Sequence, residues 1–401
     1  MHALRGFRES WLKKMPLAGG PATPAVVALA RRKTSSETYL RRLVTTLVLT
    51  AAAFGISANA TAGTLPADLG QRLADGYIRP ATAQLLERSN SLQTSLVPWC
   101  EAGAPAAGRA KIDENFRLLL DAWARVELLR FGPMIGDNRF ERIFFWPDAR
   151  GAVPRQLGLA LKAADPAALA PGALRARSVA VQGLPAVEFL LFGDGADTLS
   201  DGSPASRYRC LLAAATTANV RDISAELVDA WSATGDTGRA FTEPKAENSI
   251  YRNTQEVAAE AFKALATGIK FLREAKLAPM MGATASEARA QRGTFWRSGS
   301  TARYLAANVR GMGDFYAAAQ LADSYSSEER SADSGFLTEI ASAQSSLQAI
   351  ADMPLDTALA EPNRRHLTLA KLIADNLGSM VGGVIAPAFG VTLGFNALDG
   401  D

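Results

Sequence analysis

Histidine is almost absent from this sequence of 401 residues, which contains only His2 and His366. Zinc-peptidase signatures of the His-Glu-x-x-His type cannot be built from so few. A Ser-His-Asp triad would depend on His366, and no Gly-x-Ser-x-Gly elbow accompanies it. We interpret His366, which follows two arginines at a predicted helix start, as a solvated surface residue. Glycine loops typical of phosphate and dinucleotide binding are missing as well.

Cysteine is equally scarce, with only Cys100 and Cys210. This count is far below that of a disulfide scaffold, and the two residues do not form a Cys-x-x-Cys redox pair. They form either a disulfide or two buried thiols, and the sequence leaves both open because it does not give the distance between their Cα atoms. Any metal site would consist mainly of carboxylates, helped by tyrosine, carbonyl groups or water, and such oxygen ligands suit hard cations.

A basic surface is also missing from most of the chain. The formal net charge is +3, but residues 1–60 alone hold nine Lys or Arg and only two Glu. Residues 61–401 therefore carry 34 basic and 38 acidic side chains. This balance argues against nucleic acid as a partner.

The N-terminal 60 residues have the pattern of a secretory signal peptide. Residues 43–56 carry no charge, Arg41 and Arg42 precede them, and Ala58 and Ala60 form a small-x-small exit. The apolar stretch is too short to span a bilayer comfortably. We therefore predict a leader over residues 1–60, cleavage after Ala60 and a periplasmic mature protein, with peripheral membrane association left open.

The rest of the chain predicts an all-α protein. Apolar residues recur with a helical period, Ala, Leu, Arg and Glu dominate, and alternating β-branched runs are nearly absent. The predicted helices cover residues 66–97, 110–131, 153–164, 204–233, 250–276, 284–321, 333–351 and 364–383. This number of helices favours two packed bundles, which we place at residues 61–240 and 241–401. The uncharged segment 377–398 is interpreted as a buried terminal helix with an apolar tail, not as a membrane span.

Glu127 is the first of two carboxylates for which the sequence predicts little water. It shares one face of a predicted helix with Phe116, Leu120 and Trp123. A buried carboxylate has to be paired, protonated or bound to a ligand, because burying it unpaired is costly. Either Glu127 belongs to a functional site, or it pairs with Arg130 three residues later and only fixes helix packing.

Glu188 is the second, and it interrupts the apolar run 184–192. Pro185 stands where the first turn of a helix tolerates a missing N–H. A lone acid in such a run is unusual for a purely structural helix, and the alternative is a carboxylate that caps a helix or pairs with an arginine. Two aromatic and charged segments, 139–148 and 294–299, have the composition of a cleft wall or of partly buried loops. Trp296 and Arg297 lie in the second, where Arg297 would bind an anion or neutralise an acid.

At these residues the sequence resembles the imelysin-like family, which is related to the peptidase M75 group and to iron-regulated periplasmic proteins. The motifs that carry the resemblance are WARVELLRFGP at 123–133, RIFFWPD at 142–148, GLPAVEFLLFG at 183–193, the segment 208–210, WRSG at 296–299 and LGFNALDGD at 393–401. The resemblance implies two helical bundles with a cleft between them. It also implies a role in iron uptake through metal or ligand binding, and a peptidase activity in some members.

The family hallmark Gly-x-His-x-x-Glu is altered here. Gly183 and Glu188 match it, but Pro185 occupies the position of the histidine. The acid therefore lacks the nitrogen ligand that would share its helix face. This loss puts the metal site of the family in doubt and weakens the peptidase interpretation further, because a hydrolase needs a bound metal or a base.

We therefore predict a non-enzymatic periplasmic protein that binds iron or an iron complex in the cleft during iron acquisition. The expected ligand-binding residues are Glu188, Glu127, Arg130, Arg297 and Trp296, and Glu188 and Glu127 are the expected ligands if iron or another divalent cation binds directly. The two arginines favour an anionic chelate over a bare cation. Other iron-uptake proteins of the periplasm or membrane are expected partners. The alternatives are an M75-type metallopeptidase and a scaffold that binds proteins through the aromatic segment 140–147.

Overall fold

A computed structural model describes residues 63–394 of the chain. This part is mostly helical and contains no strand, which confirms the predicted all-α class. The predicted leader with its cleavage site after Ala60 lies outside the described residues, as do residues 395–401 of the terminal motif.

Fifteen α-helices are formed within residues 63–394, several of them very short. They are α1 Leu69–Leu73, α2 Arg79–Glu101, α3 Ala106–Val126, α4 Arg139–Ile143, α5 Ala152–Ala163, α6 Leu184–Phe192, α7 Pro204–Trp231, α8 Asp236–Thr242, α9 Thr254–Phe271, α10 Ala278–Met281, α11 Thr301–Ala318, α12 Ser331–Gln348, α13 Leu355–Leu359, α14 Arg364–Met380 and α15 Ala386–Ala388. Wide π-helical turns at Ala74–Ile78, Leu272–Leu277 and Val381–Ile385 join consecutive helices. Short 3-10 turns occupy Gly132–Asn138, Pro166–Leu169, Ala173–Ala176, Val179–Val181, Ala196–Thr198, Ala285–Glu287, Ala290–Arg292 and Ala322–Ser324.

The long helices pack in two groups. Helix α2 packs against α3 and α7, and helix α12 packs against α11 and α14. Helices α3 and α11 contact each other and join the two groups. The boundary predicted between residues 240 and 241 falls inside α8, and the division into domains at that point stays a prediction.

The first group is closed by a disulfide. Cys100, at the end of α2, is bonded to Cys210 in α7, and their Cα atoms are 5.4 Å apart. Both residues are only 1% exposed. Of the two alternatives that the sequence left open, the structure has the bridge.

Proline explains the wide turns. Pro80, Pro279 and Pro387 each stand at the second residue of the α-helix that follows a π-helical turn. A proline lacks the N–H that would bond the carbonyl four residues earlier and its ring crowds that carbonyl, so a wider turn accommodates it. At Pro279 the carbonyl left without its helical donor belongs to Ala275, which accepts a hydrogen bond of 2.9 Å from Trp146 Nε1.

The C-terminal helical stretch from Arg364 to Ala388 is long and apolar enough to cross a membrane by length and composition. One face packs into the protein, where it buries Leu367, Ile373 and Leu377 against α9 and α12. Val384, which lies within the segment 377–398 and on another face, is 41% exposed. The sequence interpretation of a buried terminal helix therefore describes one face only.

The predicted helix over 284–321 is too long at its start. Helix α11 begins at Thr301, and residues 284–300 form 3-10 turns and an irregular loop. Backbone conformation explains the difference, because Phe295 and Gly299 have φ angles of 57° and 67°, in the left-handed region that ends helical geometry. This loop forms one wall of the candidate site.

Candidate functional site

The site is a cleft of about 570 Å³, a size typical of small-molecule sites. One wall consists of the segment 146–154 and helix α6. The other consists of residues 275 and 279, around the second π-helical turn, and the loop 291–297. Both halves of the chain thus line the cleft.

Helix α6 is buried on all sides, and this position explains its apolar sequence. Gly183 precedes it, where a Cβ atom would lie only 2.2 Å from the carbonyl oxygen of Ile143, so only glycine fits. Pro185 occupies the first turn and lines the cleft together with Glu188. Pro185 and Glu188 therefore face the same space, with a proline ring where the expected Gly-x-His-x-x-Glu pattern would place an imidazole.

Glu188 is 3% exposed and binds the opposite loop. Its Oε1 atom accepts two hydrogen bonds of 2.9 Å, from the backbone N–H and from the hydroxyl of Ser298. Burial raises the pKa of Glu188 from 4.5 to about 7, although these hydrogen bonds and the nearby Arg297 act in the opposite direction. Because both bonds go to Oε1, Oε2 is the oxygen best placed to meet a ligand.

This raised pKa predicts a pH-dependent effect of Glu188→Gln on stability. Between pH 4.5 and 7 the folded chain holds a proton on Glu188 that the unfolded chain has lost. Stability is therefore highest at low pH and falls as the pH rises through 7. Above pH 7 Glu188 is ionised in both states, and its burial lowers the free energy of unfolding by about 3 kcal/mol. We expect Glu188→Gln to raise the free energy of unfolding at pH 8 and to change it little at pH 4.5.

Urea unfolding of both proteins at the two pH values measures this difference. Glu141→Gln, at an exposed acid outside the cleft, serves as the control. An equal effect of Glu188→Gln at pH 4.5 and pH 8 would show that the carboxylate does not titrate in this range.

Arg297 and Trp296 lie beside Glu188 in the cleft wall. The Arg297 guanidinium stacks at 4.7 Å on the Trp296 ring and at 5.4 Å on the Phe189 ring. Such stacking fixes the cation while its N–H groups stay available to a ligand. Arg292, also in the wall, is exposed.

The hydroxyl of Thr294 adds an unused polar group to the cleft. Its Oγ1 atom is buried and has no hydrogen-bond partner within the described residues. An unpaired buried hydroxyl costs free energy, and a ligand in the cleft could satisfy it.

The donor set of the cleft does not fit a bare metal ion. Within residues 63–394 no group of three or more His, Cys, Asp or Glu side chains could hold one. The other carboxylate in the cleft, Asp148, accepts the backbone N–H groups of Ala152 and Val153 at 2.6 and 2.8 Å and so caps α5. Only Glu188 remains, with one oxygen.

Glu127 has other partners than those predicted. Lys276 Nζ lies 2.5 Å from its Oε1 atom, and the Tyr304 hydroxyl donates to its Oε2 atom. Lys276 is itself fully buried and also donates to Asn308 at 3.1 Å. The expected pair with Arg130 does not form within the described part of the chain.

Glu127 and Arg130 are not among the residues that line the cleft. The Arg130 guanidinium stacks at 3.9 Å on Phe140 and at 4.9 Å on Phe271, in the protein core. Both oxygens of Glu127 are engaged by protein groups, so the expected metal site of Glu188 and Glu127 is not assembled in the structure. Of the five predicted residues, it brings together Glu188, Arg297 and Trp296.

The structure changes two further interpretations of the sequence. Phe140 and Phe144 are buried in the core and take no part in the protein-binding surface suggested for 140–147. Phe145 and Trp146 are partly exposed and Trp146 lines the cleft, so a smaller surface at these two residues stays a prediction. His366 is half-buried instead of solvated, with its Nδ1 atom 3.2 Å from the hydroxyl of Ser346.

Sequence reasoning missed Ser298 and Lys276, the partners of the two buried acids. Lys276 had a signal, because it stands in the mostly apolar run 275–281 just before Pro279. Ser298 lies in the WRSG motif, but its bond to Glu188 was not predicted because it depends on the loop conformation.

The helical architecture and the cleft around Glu188 define an all-α protein with a cleft of small-molecule size. The imelysin (peptidase M75) family model matches residues 77–377, and the chain belongs to this family. No curated protein matches the chain.

Two solved structures are similar in fold. An imelysin-like protein from Psychrobacter arcticum has a TM-score of 0.66 at 18% identity, covering 84% of this chain and 100% of that one. A Parabacteroides distasonis protein, named as an iron-regulated protein A precursor, has a TM-score of 0.64 at 15% identity, covering 82% and 97%. At these identities the likeness concerns the fold alone.

Proposed function

We propose that this protein is exported to the periplasm and binds an anionic iron complex in the cleft around Glu188, as a non-enzymatic step of iron acquisition. The observation that carries the proposal is the donor set of the cleft. It offers the cation Arg297, the unpaired hydroxyl of Thr294 and a single carboxylate oxygen, which suits an anion better than a bare metal ion. The name of the Parabacteroides distasonis structure supports the link to iron.

The walls of the cleft favour a complex with aromatic faces. Trp146 and Trp296 both line it, and aromatic side chains bind flat apolar surfaces of ligands through stacking. Below pH 7 Glu188 is protonated, so its Oε2–H can donate to the ligand and no negative charge opposes it. The anion is therefore expected to bind more tightly at pH 6 than at pH 8.

A ferric complex of 2,3-dihydroxybenzoate is a suitable probe, followed by calorimetry and by quenching of tryptophan fluorescence. We expect Glu188→Gln to remove most of the pH dependence of binding and Arg297→Met to weaken binding about tenfold. Comparing the variants at each pH cancels changes in the complex itself, and Glu141→Gln should behave as the wild type. Absence of binding, or identical profiles for wild type and Glu188→Gln, would reject the proposal.

A metallopeptidase is the second candidate, and the pKa of Glu188 near 7 is the observation that favours it, because a general base works best near the ambient pH. Incubation of an intact protein substrate with the purified protein and added Zn²⁺ or Fe²⁺ tests it. Cleavage that Glu188→Gln abolishes would support the peptidase, and uncut substrate would eliminate it.

A further inference from the structure

A second concave surface lies outside the cleft, where α2, α3, α11 and α12 leave a groove of about 420 Å³. Its floor contains the small side chains Ala122, Ala306 and Ala307. Small residues at this position keep the helices from filling the space between them. The groove therefore exists because the facing helices carry small side chains here, and its size suits a small molecule.

Arginine dominates the rim of this groove. Four arginines and two aspartates line it, together with three glutamines: Arg88, Arg125, Arg303, Arg310, Asp121, Asp352, Gln84, Gln344 and Gln348. Positive charge thus exceeds negative charge among the lining residues. The glutamines add amide N–H groups that can also donate to an anion.

Only one of these arginines is fully neutralised by a close partner. Arg303 donates to Asp121 through Nη2 at 2.8 Å and through Nε at 3.1 Å. Arg125 and Arg310 share the same oxygen of Asp314, at 3.4 and 3.6 Å. The contact of Arg88 with Glu87 is 3.8 Å long.

These three contacts are longer than an ordinary N–H···O hydrogen bond of about 2.7–3.2 Å, so the donors are poorly used. The Nε atom of Arg125 is in addition buried with no hydrogen-bond partner within the described residues. The Arg125 guanidinium also lies over the Tyr77 ring, at 5.7 Å. Within residues 63–394, Arg125 and Arg310 therefore share one distant carboxylate, and neither has an acidic partner at ordinary hydrogen-bond distance.

We propose that this groove is a second binding site, separate from the Glu188 cleft, for a small polyanion that carries two or more carboxylate or phosphate groups. Arg125 and Arg310 would bind one anionic group in place of Asp314, and Arg88 on the neighbouring helix would bind another. Planar guanidinium groups pair with both types of oxyanion through two parallel hydrogen bonds. Citrate and pyrophosphate represent the two chemical classes.

Calorimetric titration of the purified protein with citrate and with pyrophosphate tests the proposal. We expect at least one of them to bind, and Arg310→Met and Arg125→Met each to weaken its affinity about tenfold. The Arg310 side chain is 60% exposed, so Arg310→Met should leave the fold intact even if Arg125→Met disturbs it. Arg365→Met removes the same charge from an exposed position outside the groove and should change nothing.

Three results would overturn this second site. They are no binding of either anion, equal weakening by Arg365→Met, and binding that Glu188→Gln abolishes but Arg310→Met leaves unchanged. The last result would place the anion in the cleft and support the proposed function instead. The two proposals can therefore fail independently.

Discussion

Replacing Cys100 and Cys210 together with alanine is expected to lower the free energy of unfolding by about 5 kcal/mol. The bridge connects residues separated by 110 positions, and a crosslink of that span removes much of the conformational freedom of the unfolded chain. It also joins α2 to α7, two long helices of the first group that pack along each other. No other disulfide compensates for its loss, because these are the only two cysteines.

Urea unfolding of the double variant, of Cys100→Ala and of the wild type with and without a reductant measures the effect. The three proteins without the bridge should have similar midpoints, all well below that of the oxidised wild type. An oxidised wild type that unfolds at the same urea concentration as the reduced protein would contradict the prediction.

Replacing Lys276 with methionine is expected to lower the free energy of unfolding by about 3–5 kcal/mol. Methionine fills a similar volume, but it leaves the Glu127 carboxylate charged in the core with Tyr304 as its remaining partner. Burial already lowers the pKa of Lys276, and Glu127 opposes this effect, so the two charges depend on each other.

The double variant Glu127→Gln with Lys276→Met separates the lost charge pair from a packing defect. It removes both charges and keeps an acceptor for Tyr304, so it should be more stable than Lys276→Met alone. Lys263→Met, at an exposed position on α9, is the control and should stay within about 0.5 kcal/mol of the wild type. If Lys276→Met costs no more than this control, the ion pair does not contribute to stability.

Local sequence signals predicted the long helices well. The helical period of apolar residues and the prolines and glycines that end helices both depend only on residues close in sequence. The segment 204–233 was predicted as a helix, and α7 occupies Pro204–Trp231. The failure at 284–300 has a local physical cause, the left-handed backbone of Phe295 and Gly299. Phe295 in particular offers no signal for it, since bulky residues rarely adopt this conformation.

Partners distant in sequence could not be predicted in the same way. The apolar pattern indicated that Glu127 and Glu188 would be buried, and each is 3% exposed. Their partners Lys276 and Ser298 come from the other half of the chain, and no spacing rule connects them. Arg130 was the nearest cation on the same predicted helix face, but aromatic rings bind its guanidinium.

The missing N–H of Pro279 also affects contacts outside its own helix. In the wide turn before it, the Ala275 carbonyl is free to accept a hydrogen bond from the Trp146 indole. The same turn contains Lys276, whose ammonium forms the ion pair with Glu127. One imino acid thus couples the position of an aromatic ring in the cleft wall to the charge balance of the interior. Selection or engineering that reshapes this wall through residue 279 would also have to rebalance the buried ion pair, which limits the substitutions open at that position.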